Sequence, residues 1–350
     1  MTSFLSIKIF FTDIVNFIKL KKIEKNFEIG FFCESKHILN YLSPYIINKT
    51  KKKNILIILF ENLDNFENEM ISIFVFKNNF VRELVFLTIK LKYLYSSTPD
   101  LENSIFKRSK FSNCKYIYLQ HSPVSLNLIY NENAFIAFDA VQTISDYQYL
   151  EFNEIKKIKG LKTRPFKSKY LFIKHTENKS KQTLKKKIDV IIAPSWNTSF
   201  YKLKCHQNLH KHLTKKNITY QLRPHPMSFK KNEISLMELN EFNIELDRNK
   251  DINFKNFNFL ISDWSGIFIE YALLKMKKSY LINTPKKDKN LNYRNFSNVP
   301  VEISMRNDFG ETFNIDEIEN FVEKISFLVT EKKENKKDEK LIEIIENRFY

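Results

Sequence analysis

The sequence predicts an α/β protein with two similar domains, each built around a parallel sheet. Short apolar runs alternate with longer segments of helical periodicity, and this alternation occurs twice along the 350 residues. The runs are apolar throughout rather than at every second position, which is typical of strands covered on both faces. One hydrophobic core rarely organises a chain of this length, so we expect two Rossmann-like domains, residues 1–180 and 181–350, with closing helices that could pack back on the first.

The first half contains most of the predicted strands. An apolar helical segment, Phe4–Leu20, precedes them, one helix follows the first strand to about Ile47, and another covers residues 80–91. We interpret Ala140–Ser145 as the last strand of this half. The predicted strands are Phe27–Ser35, Asn54–Phe60, Ile71–Phe76, Lys92–Ser97, Lys115–Gln120 and Ala140–Ser145.

A lysine-rich, weakly periodic stretch at residues 156–187 separates the halves, and the alternation then restarts. Predicted strands begin at Ile188, Ile218, Phe257 and Ser279. Predicted helices cover about residues 205–216, 266–275, 315–330 and 336–347.

The net charge of the protein indicates which class of partner it favours, but does not identify a partner. The formal net charge is +17, from 57 Lys and Arg against 40 Asp and Glu, which favours an acidic partner. The abundance of Lys, Asn, Ile and Phe is typical of an AT-rich genome, and this bias accounts for part of the positive charge. A nucleic-acid surface would interleave basic and aromatic residues, whereas here the lysines are dispersed and the aromatics fall in apolar runs. We therefore expect no nucleic-acid partner.

The cysteines and the N-terminal segment bear on the cellular compartment. Cys33, Cys114 and Cys205 are too few and too scattered for a disulfide framework, so we expect core thiols in the cytoplasm. Lys8 and Asp13 interrupt the first helix, which is therefore neither a signal peptide nor a membrane span. Two interpretations stay open: an ordinary first helix, or a basic amphipathic helix on an anionic inner membrane surface.

Polar motifs follow four of the predicted strands directly. HSP follows Lys115–Gln120, and PSW, RPHP and SDWSG end three apolar runs of the second half. In open parallel sheets, ligands bind at the carboxyl ends of strands, where helix N-termini offer N–H groups to anions. These motifs predict a site for a phosphorylated ligand, although each alone could be a simple turn or helix cap.

Individual residues in the motifs suggest chemical roles. Ser262, Asp263, Ser265 and Gly266 lie where a strand passes into a helix, a position suited to a phosphate. Arg223 can bind phosphate through paired donors, and His225 can donate to phosphate or exchange a proton. His121 could accept a proton from an attacking hydroxyl.

Other site types are weakly supported or excluded. His206 and His210 are one helical turn apart beside Cys205, but no glutamate or further ligand has zinc spacing. No G-x-x-x-x-G-K-[ST] loop or G-x-G-x-x-G occurs, which excludes P-loop NTPases and disfavours dinucleotide enzymes. We expect no metal and no cofactor.

Taken in order, QHSP, IIAPSW, RPHP and SDWSGIFIEYALLKMKKSYLI resemble the motif series of the CDP-glycerol glycerophosphotransferase family of teichoic-acid and capsule polymerases and primases. The resemblance covers about residues 92–285. It implies a GT-B fold, with two Rossmann-like domains whose parallel sheets face a cleft. It also implies transfer of a polyol phosphate, glycerol phosphate first, from a CDP-linked donor to an acceptor hydroxyl on a cell-surface polymer or its lipid-linked precursor, releasing CMP.

The resemblance also implies roles for individual residues. His121 matches the family's presumed base, and His225 with Arg223 would stabilise the donor phosphates or the departing CMP. Gln120 and Ser122 would lie on the acceptor side. The donor contacts implied by the remaining motifs are Ser195, Trp196, Ser262, Asp263, Ser265 and Gly266.

Two positions depart from the family pattern: Ser122 stands for a glycine beside the histidine, and Gly266 stands for a serine. We expect Ser122 to narrow the space beside His121. Because no paired-aspartate motif occurs, we also expect activity without divalent ions, and loss of turnover with EDTA that magnesium restores would contradict this expectation.

Two alternatives remain from sequence. A GT-B glycosyltransferase could use a nucleotide-sugar donor for surface polysaccharide synthesis, since fold alone does not decide function. A degenerate family member could scaffold other enzymes, although His121, Arg223, His225 and Asp263 are all present.

Overall fold

A computed structural model describes residues 2–63, 69–101, 107–109, 111–131, 133–179, 188–244, 254–286, 290, 292–331 and 337–349. The chain divides into two compact units. Of the described residues, the first contains those up to His121 and those of Tyr130–Phe172, and the second contains Ser122–Ile129 and those of Ile173–Phe349. The predicted boundary between residues 180 and 181 and the predicted start of the last helix at residue 336 lie outside the described residues.

The first unit contains a seven-stranded sheet in which every neighbouring pair is parallel. Its order is β3-β2-β1-β4-β5-β6-β7, the doubly wound order of a Rossmann fold extended by one strand. Every residue of β1 and β2 is buried, as their unbroken apolar runs predict. The strands are β1 Ile29–Cys33, β2 Ile55–Leu59, β3 Ile71–Val75, β4 Tyr93–Ser96, β5 Lys115–Tyr118, β6 Ala140–Thr143 and β7 Arg164–Lys167.

The second unit contains a five-stranded parallel sheet in the order β12-β11-β10-β8-β9. The chain runs outward from β8 to β9 and then returns to β10 on the other side of β8. The order therefore reverses between β8 and β10, which is where open α/β sheets bind ligands. The strands are β8 Ile188–Ile192, β9 Tyr220–Leu222, β10 Phe257–Ser262, β11 Ser279–Ile282 and β12 Gly310–Phe313.

Helices connect the strands, and local sequence signals mark several of their ends. Ser35 and Ser145 cap α2 and α5 by accepting backbone N–H bonds, and Gly160 ends α5 with a φ of +62°. The described α-helices are α1 Thr2–Ile23, α2 Lys36–Thr50, α3 Asn79–Thr88, α4 Leu126–Ile129, α5 Asp146–Lys159, α6 Leu171–Lys179, α7 Cys205–Lys215, α8 Pro226–Lys230, α9 Ile267–Lys275, α10 Val301–Ser304, α11 Arg306–Phe309, α12 Ile318–Thr330 and α13 Glu339–Arg348.

One strand prediction is wrong, because β6 is not the last strand of the first unit. The segment RPFK forms β7 at the edge of the sheet, within the stretch predicted to separate the domains. Proline lacks a backbone N–H and is tolerated at the edge of a sheet. The strand has only four residues, and its first and last residues are exposed, so it has no apolar run that would predict a strand. The edge strand β12 of the second unit was missed for a similar reason, since GETF is short and polar.

The three cysteines are core thiols, as the sequence predicts. Cys33, Cys114 and Cys205 are at most 2% exposed. Burial raises the pKa of the Cys114 and Cys205 thiols to about 12, and that of Cys33 further. All three are therefore protonated and poorly nucleophilic near neutral pH.

Helix α1 has one face packed on the first unit and one apolar face exposed. On the packed face, the Asp13 carboxylate accepts bonds from the backbone N–H groups of Lys77 and Asn78, both at 2.6 Å. On the outer face, Ile7, Phe11, Val15 and Ile18 are 49–63% exposed. Of the helices in the described part of the chain, none has the length and apolarity to cross a bilayer.

Candidate functional site

The loops after β8 and β10 are hydrogen-bonded to each other at the point where the strand order reverses. The Asp263 carboxylate accepts the backbone N–H of Ser195 at 2.7 Å and the hydroxyl of Thr198 at 2.6 Å. The Ser262 hydroxyl donates to the carbonyl of Ala193 at 2.7 Å. Two motifs that are 68 residues apart in sequence therefore form one structure at the carboxyl edge of the second sheet.

Burial separates the predicted donor residues into two groups. Ser195, Ser262 and Asp263 are at most 1% exposed, and Ser262 and Asp263 direct their side chains into bonds with the neighbouring loop. Trp196 and Ser265 are partly exposed. The buried group is suited to holding the loops in shape, and the partly exposed group is suited to meeting a ligand.

Arg306, which belongs to no motif found in the sequence, bonds to the loop after β10. Arg306 is 6% exposed. Its guanidinium donates to the carbonyls of Asp263 (2.8 Å) and Ile282 (3.0 Å) and stacks 4.0 Å from the Trp264 ring centroid. The Trp264 indole N–H in turn donates to the carbonyl of Thr284 at 2.7 Å. Burial lowers the pKa of Arg306 to about 10, against the pull of Asp263, so the side chain stays charged at neutral pH.

The RPHP motif follows β9 on the same edge. The Arg223 backbone N–H donates to the carbonyl of Ile192, the last residue of β8, at 2.8 Å, and the Arg223 side chain is buried. His225 caps α8: its Nδ1 accepts the backbone N–H of Met227 at 3.1 Å. An accepting Nδ1 places the imidazole proton on Nε2, so His225 in this form is a hydrogen-bond donor rather than a base.

His121, at the end of β5 in the first unit, is oriented by aromatic neighbours that sequence analysis did not identify. The Tyr170 hydroxyl donates to the His121 carbonyl at 3.0 Å. The Tyr41 ring meets the imidazole edge to face, with centroids 6.2 Å apart, and itself packs on Phe172 at 4.2 Å. Tyr170 and Phe172 lie far along the chain in a stretch with no recognisable motif.

Gln120, predicted on the acceptor side, is completely buried. Its backbone N–H donates to Gln142 Oε1 at 3.0 Å, and its side-chain amide donates to the Gln142 carbonyl at 2.9 Å. Gln142 donates onward to the Tyr45 hydroxyl at 2.9 Å. This network fixes the backbone before His121, which makes Gln120 a positioning residue in geometry.

Ser122, also predicted on the acceptor side, belongs to the second unit. It lies against Gly266, the N-cap residue of α9. The structure therefore joins one residue predicted to lie beside the acceptor to one predicted to bind the donor.

The weakly supported zinc pair is part of an aromatic core. His206 packs against Tyr201 and Phe242, with centroids 5.1 and 5.6 Å away, and His210 Nδ1 lies 2.6 Å from the Tyr220 hydroxyl. In the described ranges, no group of three or more His, Cys, Asp and Glu side chains has metal-binding geometry.

Burial of His206 makes stability depend on acid. Desolvation lowers the pKa of His206 to about 4, whereas an unfolded histidine titrates near about 6.5. The unfolded state therefore takes up a proton first as pH falls from about 6.5 to 4, which costs about 3 kcal/mol of stability in total, and nothing is lost above that window. We expect the Tm of the wild type to fall about 5 °C more than that of His206→Phe between pH 7 and 5. Thermal melts at both pH values measure this, with the difference at pH 7 reporting packing alone, and parallel profiles would contradict it.

The comparisons with known proteins establish the fold. No protein-family model matches the sequence. No curated protein matches it either. Among solved structures, the wall teichoic acid polymerase TagF soaked with CDPG is similar, with a TM-score of 0.58 and 13% identity over 96% of this chain and 92% of that chain. S. aureus MnaA in complex with UDP has a TM-score of 0.53 and 10% identity over 91% and 95% of the two chains. With the two parallel sheets, these similarities confirm the predicted GT-B fold class of two Rossmann-like domains.

Proposed function

We propose that the protein is a transferase that moves a polyol phosphate, glycerol phosphate in the first instance, from a CDP-linked donor to the hydroxyl of a cell-surface polymer or its lipid-linked precursor. The observation that carries the proposal is the hydrogen bond of Ser195 to Asp263, which unites two motifs of the series at the strand-order reversal. The motif series favours the cytidine-linked donor, and the similarity to TagF is consistent with it in fold.

The second unit supplies the donor-binding groups in this proposal. Asp263 and Arg306 hold the loop after β10, and α9 begins directly behind it with N–H groups suited to an anionic oxygen. Arg223 and the Nε2 proton of His225 come from the neighbouring strand end. Together these groups provide positive charge and donors for a diphosphate without a metal ion.

The chemical step balances with His121 as the base. His121 takes the proton of the acceptor hydroxyl, and the oxygen attacks the phosphorus that carries the polyol. The new P–O bond forms as the bond between the two donor phosphates breaks, and CMP leaves with the electron pair. Negative charge grows on CMP, where Arg223 and His225 would stabilise it.

Product analysis tests the proposed reaction. The purified protein is incubated with CDP-glycerol and a lipid carrying a terminal glycerol phosphate, and nucleotides are separated by anion exchange. We expect CMP in equal amount to the glycerol phosphate added to the lipid. Release of CDP, or transfer only from UDP-sugars, would overturn polyol-phosphate transfer.

The alternative is a glycosyltransferase that uses a nucleotide-sugar donor. It shares the GT-B fold, and the UDP complex of S. aureus MnaA is one structure of similar fold. Sugar transfer breaks the bond between sugar and phosphate and releases a nucleoside diphosphate. The product assay therefore separates the two reactions.

We further propose that α1 binds the protein to an anionic membrane surface. Exposed Lys8, Lys19 and Lys22 accompany the exposed apolar face of α1, which suits a helix lying at the lipid interface. Replacing Phe11 and Val15 with serine should weaken binding to phosphatidylglycerol vesicles about 10-fold or more. Sedimentation measures this, with Ile47→Ser as an exposed control on α2, and equal binding by both variants would contradict it.

A further inference from the structure

The turn that follows His121 is anchored in the second unit by buried hydrogen bonds. The Ser125 backbone N–H donates to Glu302 at 2.9 Å, and the Ser125 hydroxyl accepts the backbone N–H of Val301 at 2.7 Å. Asn127 adds bonds to the same region, accepting from Asn290 at 2.8 Å. Ser122 therefore lies at the start of a segment whose position is fixed.

Ser122 fills the space that a side chain on residue 266 would need. A Cβ built on Gly266 would lie 2.5 Å from the Ser122 Oγ and 2.5 Å from Val124 Cγ1, closer than real Cβ contacts. Gly266 has φ −57° and ψ −11°, which any residue adopts. The lack of room for a Cβ, and not the backbone conformation, therefore favours glycine at position 266.

The contact joins the two positions at which the motifs depart from the family pattern. Where the pattern has glycine followed much later by serine, this chain has Ser122 and Gly266. We propose that Ser122 and Gly266 are a coupled pair, in which the Ser122 hydroxyl takes the position of the side chain that residue 266 lacks and presents that hydroxyl beside the start of α9. Ser122 is then a donor-side residue.

A hydroxyl at this position has a defined chemical use. Gly266 gives α9 no side-chain cap, whereas a serine there would place an oxygen beside the first N–H groups of the helix. Delivered from Ser122, the hydroxyl can donate to an anionic oxygen of a phosphorylated ligand. The identity of that ligand rests on the proposed function, but the coupling of the two residues does not.

A double-mutant cycle tests the coupling without any ligand. Gly266→Ala is made in the wild type and in Ser122→Gly, and thermal melts give the Tm shift in each background. We expect Gly266→Ala to lower Tm by about 5 °C in the wild type and by half or less in Ser122→Gly, since overpacking is relieved. The Val124 contact is the same in both backgrounds and cancels. Equal shifts in both would overturn the coupling.

Cytidine nucleotide binding tests the placement of the hydroxyl. Ser122→Ala keeps Cβ and removes only the hydroxyl, and we expect it to raise the CDP concentration for half-maximal stabilisation about 10-fold with little change in Tm. Ser122→Gly with Gly266→Ser should regain part of that affinity, because Val124 still crowds a side chain at residue 266. The matched pair of Ser122→Gly with Gly266→Ala, which differs by one hydroxyl, should not.

The outcomes separate this inference from the proposed function. If the Tm cycle shows coupling but no cytidine nucleotide stabilises the protein, the proposed donor fails, and with it the ligand role of Ser122, while the coupled pair stands. If CDP stabilises the wild type but Ser122→Ala binds it equally well, the placement of the hydroxyl fails while the proposed donor stands.

Discussion

Replacing His121 with alanine is expected to lower turnover about 10²- to 10⁴-fold, because the acceptor hydroxyl then loses its proposed general base. Tyr41 contacts the imidazole and Tyr170 bonds the His121 carbonyl, both within the first unit, and the proposed donor groups lie in the second. Stabilisation by cytidine nucleotides should therefore persist. Rates of CMP release and thermal melts of the same variant measure both effects.

A matched control distinguishes catalysis from structure. His37 contacts the same Tyr41 ring, with the His37 and Tyr41 ring centroids 5.0 Å apart, and it lies outside every motif. His37→Ala should keep most of the activity. If His121→Ala loses stability and nucleotide binding together with turnover, His121 is a structural histidine and the proposed base is wrong.

Asp263→Ala is expected to be the most damaging single change in the second unit. It removes the acceptor of two buried donors, the Ser195 N–H and the Thr198 hydroxyl, and leaves the charge of Arg306 without its nearby carboxylate. Two buried donors that lose a charged acceptor lower the free energy of unfolding by about 3–5 kcal/mol together, or the Tm by roughly 10 °C. Nucleotide stabilisation should be lost as well, because the loops lose both bonds to Asp263 and keep the bond from Ser262 to the Ala193 carbonyl.

Thr198→Val measures the share of one bond. It removes the donor at 2.6 Å and keeps the bond from Ser195, so we expect a Tm loss of less than half that of Asp263→Ala. A stable Asp263→Ala variant that binds nucleotide as the wild type does would show that the carboxylate does not organise the loops.

The strands with unbroken apolar runs were predictable because burial on both faces leaves a strong composition signal. Strands β1, β2 and β10 are in this class, and their predicted and observed limits agree within a few residues. The edge strands β7 and β12 were missed, since an edge strand is exposed and tolerates Pro165 or a polar sequence. Register and strand order depend on contacts between distant residues, which spacing along the chain does not report.

The site was predictable where a motif ends a strand and not where a distant residue supports it. The positions of Ser195, His225 and Asp263 at strand ends followed from apolar runs that stop at polar residues. Arg306 and Tyr170 act through backbone carbonyls, and any segment could supply such donors, so no pattern marks them. The contact between Ser122 and Gly266 was likewise not predictable, because folding brings these distant residues together, although both positions stood out as departures from a motif.

The most direct test of the proposed function is to measure which nucleotides stabilise the protein. Thermal melts are recorded with CMP, CDP, CDP-glycerol, UDP, UDP-sugars and GDP, since a ligand at about 100 times its dissociation constant stabilises the folded state by about 2.7 kcal/mol. We expect a rise in Tm with the cytidine compounds, largest with CDP-glycerol. A rise with uridine or guanosine compounds alone would contradict it and indicate a sugar transferase.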